Sequence, residues 1–183
     1  AATKRTFDRV DSDGCMSTND TVILMSSGAS GVTPSYDEFA AAVYDVCFDL
    51  AQQLLSDAEG SEHDITIDVI NAADEADAVD VGRAIARSNL FKCAIYGKDP
   101  NWGRILAAVG TTEAAFDPAT LDVAINDVWV CRNGEPAEPV DGIDLSKRAV
   151  SVTVDLKAGA ESATVWTNDL THAYVHENSA YST

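Results

Sequence analysis

The chain has 183 residues, 46% of them hydrophobic and 23% charged, the composition of one well-filled domain rather than of a disordered chain or several small cores. Thirty acidic residues against twelve basic ones leave a formal charge of −18, which argues against non-specific binding to nucleic acid or to an anionic membrane. No apolar run approaches the roughly 18 residues of a membrane span, and an acidic surface selects no substrate by itself.

Residues 1–10 read as the end of a helix, with Phe7 and Val10 three apart, broken by Asp11-Ser12-Asp13-Gly14. Thr21-Val22-Ile23-Leu24-Met25 is a continuous apolar run between Asn19-Asp20 and Ser26-Ser27-Gly28, which predicts a strand buried on both faces. Pro34, Ser35 and Glu38 make a capping-box entry to a long helix over 36–59. Its expected buried stripe is Phe39, Val43, Val46, Leu50 and Leu54, with Cys47 beside them, and Gly60 stops it. From His63 to Ile70, Ile65, Ile67 and Val69 alternate with Thr66, Asp68 and Ile70, as in a half-buried strand.

Asp74-Glu75-Ala76-Asp77 places acids in the first turn of a second helix running to Arg87. Asp99 and Pro100 then predict the cap and first position of a third, carrying Trp102, Ile105, Leu106 and Val109. After Gly110 the pattern turns to strands. Leu121–Ile125 and Val128–Cys131 flank Asn126-Asp127, a hairpin junction, and Val150–Leu156 and Ser162–Thr167 form a second pair joined through 157–160. Residues 133–144 read as a surface loop. Helix and strand mix in a layer over 1–112, a strand-rich layer follows over 113–183, and the fold class is α+β with layered mixed sheets packed by helices.

Several sites are excluded by their residues. Cys15, Cys47, Cys93 and Cys131 stand far apart with no C-x-x-C pair, and read as reduced, mostly buried thiols of a cytosolic protein. No phosphate loop, no dinucleotide fingerprint and no G-x-S-x-G elbow is present. His172 and His176 have a metal-like spacing, but Ala173-Tyr174-Val175 between them predicts an extended segment that would not converge the rings. The sequence calls for no cofactor and no metal.

Glu59 is more informative. A carboxylate in the last turn of a helix opposes the helix dipole, where Lys or Arg is usual. It is either a tolerated surface acid or a carboxylate kept to bind a substrate ammonium. The C-terminal run from Asn168 to Thr183 is dense in amide, hydroxyl and aromatic groups, which fits a functional tail as well as a frayed one.

Asp13-Gly14 with Ser17-Thr18-Asn19-Asp20-Thr21, Asp57-Ala58-Glu59-Gly60, Asp99-Pro100-Asn101-Trp102-Gly103-Arg104, and the closing Ala173-Tyr174-Val175-His176-Glu177-Asn178-Ser179-Ala180-Tyr181 stand in order along the whole chain. Together they resemble the β chain of ornithine acetyltransferase, also called glutamate N-acetyltransferase. The resemblance implies a self-processing acyltransferase of arginine biosynthesis with an N-terminal-nucleophile-like fold. Its precursor cuts itself into α and β chains, and a threonine opening the β chain takes the acetyl group from N-acetylornithine and passes it to glutamate. The oxyanion hole would come from the α chain. By the same resemblance the β-chain substrate contacts fall on Glu59, Asn178 and Thr183. The expected partners are the α chain of the same precursor in an α2β2 heterotetramer, with N-acetylornithine, glutamate and ornithine as ligands in the cytoplasm.

The resemblance departs at the start. Ala1 aligns some way inside the family's β chain, so the nucleophilic threonine is not among these residues and the chain alone is expected to be inactive. Without that apolar strand, a sheet edge or groove would be open to self-association. Whether acetyl-CoA also serves as donor is left open, as are the roles of the Ser17–Thr21 and Asp99–Arg104 signatures, which read as a turn and a helix start. Alternatives are a self-processing N-terminal-nucleophile aminopeptidase, against which the polar tail argues, a non-catalytic amino-acid-binding module, and a purely structural subunit.

Overall fold

The computed structural model describes residues 1–16 and 19–180. Ser17 and Thr18 of the first signature, and Tyr181 and Thr183 of the tail, lie outside the described residues.

Strand β1 (Asp64–Ala72) organises the molecule. Its period-two pattern puts Ile65, Ile67 and Val69 wholly into the core, while Thr66, Asp68 and Ile70 lie half-buried on the opposite face. It runs parallel to β5 (Ala149–Asp155) and antiparallel to β6 (Glu161–Asn168). The hairpin of β2 (Asp122–Ile125) and β3 (Val128–Arg132) adds to β5, giving the order β4-β3-β2-β5-β1-β6, with β4 being Glu135–Pro136. The expected β5–β6 pair therefore does not form, because β1 lies between them. Their connector crosses the end of β1, where Ala158 and Gly159 donate to the Asn71 carbonyl at 2.8 and 2.9 Å.

Asn126 and Asp127 both adopt left-handed backbone (φ 46° and 64°), the conformation that a two-residue hairpin turn matching strand twist requires. Within the expected loop 133–144 the chain makes β4 and a 3-10 turn at Val140–Gly142.

The described residues form the helices α1 (Tyr36–Ser56), α2 (Glu75–Ala86), α3 (Asn89–Tyr96), α4 (Trp102–Val109) and α5 (His172–Ala180). They do not all lie on one face of the sheet: α2 packs on the Ile65–Val69 core face, whereas α1 meets Trp166, the partner of Thr66 on the opposite face. Helix α2 lies directly on β1 and β6; a Cβ on its Gly82 would stand 2.7 Å from Val165 Cγ2. Phe91 and Ile95 of α3 and Ile105 and Val109 of α4 complete the core.

Helix α3 was not expected from the sequence. Ser88 ends the connection from α2 and accepts the Phe91 N–H, which nucleates a new helix immediately. Helix α4 starts later than expected, with Asn101 rather than Asp99 at its cap position. The Asp99 carboxylate instead accepts from the Asn101 amide at 3.0 Å. Residues 1–10 form two 3-10 turns, Thr3–Arg5 and Phe7–Arg9, in place of a helix end, because Thr6 between them departs from helical dihedrals.

Two expectations about burial are overturned. Thr21–Met25 forms no strand; Val22, Ile23, Leu24 and Met25 are 55–86% exposed, and no neighbouring strand among the described residues takes up their backbone. Helix α1 buries Cys47, Ala51 and Leu55, four residues apart, while the expected stripe residues Phe39, Val46, Leu50 and Leu54 face outward. The helix is apolar on two adjoining faces, and the sheet takes the one with small side chains, where Phe48 can meet Trp166 edge-on at 5.6 Å. The cysteines divide evenly: Cys47 and Cys131 are buried, Cys15 and Cys93 exposed, all as thiols.

Candidate functional site

Helix α1 ends at Ser56, three residues before Glu59, because Asp57 leaves helical geometry as the C-cap. Glu59 thus lies beyond the last helical turn. It occupies a tight turn in which Ser61 N–H donates to the Ala58 carbonyl at 3.2 Å and Gly60, third in the turn, takes φ 67°. That is the position where a type II turn needs a left-handed residue. Glu59 is exposed there.

No basic residue stands in the last turn of α1. The missing cation comes from Arg148, at the approach to β5. Its guanidinium donates to the Ser56 carbonyl at 2.6 Å, to Ser61 Oγ at 3.1 Å, and to both Asp64 oxygens at 2.9 and 3.0 Å. A bidentate pair of this kind fixes orientation as well as charge. It joins the helix end to the far side of the Glu59 turn and supplies the positive charge that the helix dipole favours.

Asn168 closes the same junction from β6. Its amide donates to the Leu55 carbonyl, the His63 carbonyl and Asp64 Oδ1, each at 3.1 Å, and its Oδ1 accepts from Ser12 Oγ at 2.6 Å. Next in sequence, Asp169 is buried and faces His63. Its Oδ1 accepts the Glu62 and His63 backbone N–H groups, both at 2.9 Å, and its Oδ2 lies 2.6 Å from His63 Nδ1. The other ring nitrogen lies 3.0 Å from the Leu145 carbonyl. Lys92 stands close by on α3 and reaches the Ser12 carbonyl. Burial pushes its ammonium below the usual lysine range, against the opposing pull of Asp13, Asp11 and Asp169.

The tail is a helix, not the expected extended segment. Thr171 caps α5: its hydroxyl accepts the Tyr174 N–H at 2.9 Å and donates to the Gly60 carbonyl at 2.5 Å. One side-chain hydroxyl therefore starts the tail helix and fastens it to the Glu59 turn. Tyr174 is half-buried, and its phenol is raised above the usual range by burial and by Asp13, Cys15 and Glu59. Tyr96 of α3 steadies the same end, its hydroxyl 3.3 Å from His172 Nδ1 and the two rings edge to face.

Of the expected contacts, the structure brings two onto neighbouring elements. Glu59 sits in the turn on which α5 begins, and Asn178 lies on α5 one turn past Tyr174, its amide donating to the Tyr174 carbonyl at 2.9 Å. Thr183 is outside the described residues. His172 and His176 share a helix face after all, yet among the described residues no three His, Cys, Asp or Glu side chains gather as a metal site. Two grooves beside Arg5 and Tyr44 lie elsewhere, and neither is lined by Glu59 or Asn178.

Sequence reading missed Arg148, His63, Asp169 and Thr171. All four act across more than eighty residues of sequence: His63, Asp169 and Thr171 through the antiparallel register that sets Asp64 opposite Asn168, and Arg148 through the parallel register that sets Asp64 opposite Ala149. The only signal along the chain was the polar cluster Asn168-Asp169 and Thr171-His172 after an apolar strand.

The model of the ArgJ family matches residues 1–183. The arginine biosynthesis bifunctional protein ArgJ of Streptomyces coelicolor is 65% identical over 182 residues, covering 100% of this chain and 48% of that protein. The protein of the same name from Thermobifida fusca is 64% identical over 183 residues, again 48% of its length. The crystal structure of arginine biosynthesis bifunctional protein argJ from Bacillus halodurans superposes with a TM-score of 0.89 at 34% identity, covering 98% of this chain and 89% of that one. The chain spans about half the length of the curated relatives it matches.

Proposed function

The chain belongs to the ArgJ family, and from that membership we propose that it is the β-chain portion of an acetyltransferase that moves an acetyl group from N-acetylornithine to glutamate. The fold, α+β around one mixed six-stranded sheet, is that of the argJ crystal structure.

On this reading a threonine hydroxyl, on a segment outside these 183 residues, attacks the acetyl carbonyl of N-acetylornithine. The amide C–N bond breaks, the amine takes a proton and leaves as ornithine, and the acetyl group stays as a threonine ester. The glutamate amine then attacks the ester and restores the hydroxyl. The 183 residues alone carry out no transfer. Relatives are named bifunctional, which supports a second acetyl donor, and acetyl-CoA is the donor this reading assigns.

Glu59, Asn178 and Thr183 are the substrate contacts from this half. The observation that carries the assignment is the joint at Gly60, where the Glu59 turn and the start of the Asn178 helix share one hydroxyl, that of Thr171. A carboxylate in an exposed turn, backed by a fixed helix end, suits a substrate ammonium. Asn178 and Thr183 would close the site over the polar groups of the amino acid.

The α chain of the same precursor is the proposed partner, in an α2β2 cytoplasmic enzyme. Among the described residues, every large exposed apolar side chain except Leu90 and Val175 falls between Met16 and Leu54. An apolar face so concentrated supports burial by the rest of the polypeptide. No helix among the described residues is long and apolar enough to cross a membrane.

Intact mass of the full-length gene product, before and after a short incubation with N-acetylornithine, tests the reading. Two chains, one opening with threonine and gaining a single acetyl group, are expected; one uncut chain that never acetylates would overturn it in favour of a non-catalytic binding module. In the active enzyme Glu59→Ala should raise KM for N-acetylornithine by about tenfold or more, the worth of a charge-assisted hydrogen bond. An unchanged KM would remove Glu59 from the site.

A further inference from the structure

Beneath the proposed site lies a buried pair that the reaction does not use. His63 and Asp169 are 2% exposed each, and both imidazole nitrogens face oxygens: Asp169 Oδ2 at 2.6 Å and the Leu145 carbonyl at 3.0 Å. A carbonyl oxygen can only accept, so Nε2 carries a hydrogen. A neutral ring would then turn the lone pair of Nδ1 toward Asp169, which is tolerable only if Asp169 is the protonated partner. Asp169 is held as an acceptor: its Oδ1 already accepts two backbone N–H groups at 2.9 Å, and Lys92 faces it from α3.

We propose that His63 is a buried imidazolium, donating from both nitrogens to Asp169 and Leu145, and that this ion pair is the positioning element that holds the Glu59 turn and α5 together. His63 stands two residues after Ser61, the last residue of that turn, and Asp169 precedes the α5 cap Thr171 by two. The pair thus ties the strand entering from the turn to the strand leaving for the tail. Removing one member of a buried ion pair leaves the other charge uncompensated, so the joint depends on both. The other charges that face it are Lys92 from α3, drawn also to Asp11 and Asp13 of the N-terminal segment, and Asp64 of β1, itself paired with Arg148.

The kinetic part of this inference rests on the proposed transferase reading; the protonation part does not. Full-length protein labelled with 15N-histidine should show, at pH 7.5, one histidine whose two ring nitrogens both carry hydrogen, a signal lost in His63→Asn and in His63→Gln. Those variants retain, in turn, the donor toward Asp169 and the donor toward Leu145. A His63 ring with one bare nitrogen in the wild type would overturn the charged pair, and needs no variant to fold. In Asp169→Asn the ring should become neutral, and KM for N-acetylornithine should rise about fivefold with kcat within about twofold. The doubly protonated signal with an unchanged KM would overturn the positioning role. A protein that never acetylates would instead fail the transferase reading, leaving the ring signal to decide the pair.

Discussion

Gly60 and Tyr174 approach so closely that a methyl group on Gly60 would collide with the Tyr174 amide nitrogen and stand 2.6 Å from the Ala173 carbonyl carbon. Gly60 also holds φ 67°, a conformation that an L side chain adopts only under strain. Two independent demands on one residue explain why the turn carrying Glu59 has glycine at its third position.

Gly60→Ala should therefore push α5 away from the turn rather than unfold the sheet. A loss of about 1–3 kcal/mol in stability is expected, combining left-handed strain with a forced backbone contact. In the full-length enzyme the rise in KM for N-acetylornithine should exceed the fall in kcat. Kinetics and a urea titration on the same preparation would check it; a wild-type KM would mean that α5 does not need this contact to form the site.

Asp122 opens β2 nearly buried, yet accepts from Arg132 at 2.8 Å, from Lys157 at 2.8 Å and from the Asn133 N–H at 2.7 Å. Burial raises its carboxyl, but these three partners together outweigh it and hold the group below the usual carboxylate range. A depressed carboxyl contributes stability that is complete above its unfolded value, near 3.8, and is lost as pH falls through the folded one. Asp122→Asn should cost about 1–3 kcal/mol at neutral pH, the worth of a hydrogen bond to a charged group. The gap between variant and wild type should close on acidification below about pH 4. The difference is the quantity to follow, because acid also relieves the self-repulsion of a chain with formal charge −18. A gap constant with pH would show that the hydrogen bonds, not the charge, matter.

The four cysteines offer a test of the core. Burial, Asp122 and Glu135 push the Cys131 thiol up, and Cys131 is fully enclosed. In the native 183-residue chain, Cys15 and Cys93 should react with a soluble disulfide reagent at once, and Cys47 and Cys131 only after denaturation. Rapid reaction at all four would show that the core opens.

Much of the framework was legible along the chain. The alternation of Ile65, Ile67 and Val69, the acids Glu75 and Asp77 in the first turn of α2 and the Asn126-Asp127 turn depend on residues within a few positions of one another, and the structure has them as expected. Glu59 drew notice for the same local reason, a carboxylate where a helix ends. Tertiary structure decided the rest. Which of two apolar faces of α1 turns inward depends on Trp166 and its neighbours in β6, far along the sequence. Thr21–Met25 has the composition of a buried strand, but a strand needs partners, and composition does not supply them. The tail has no amphipathic period, so its helix depends on the cap that Thr171 forms against Gly60.

The sequence alone therefore determined the family and the local conformation of β1, the first turn of α2 and the 126–127 turn, since short-range sterics, alternation and ordered motifs are properties of neighbouring residues. Only the tertiary structure decided how Glu59 is supported. Arg148, Asn168 and the His63–Asp169 pair meet at the end of α1 because β1 lies between β5 and β6, and hydrogen bonds acting over 3 Å register only once the sheet has brought their partners together.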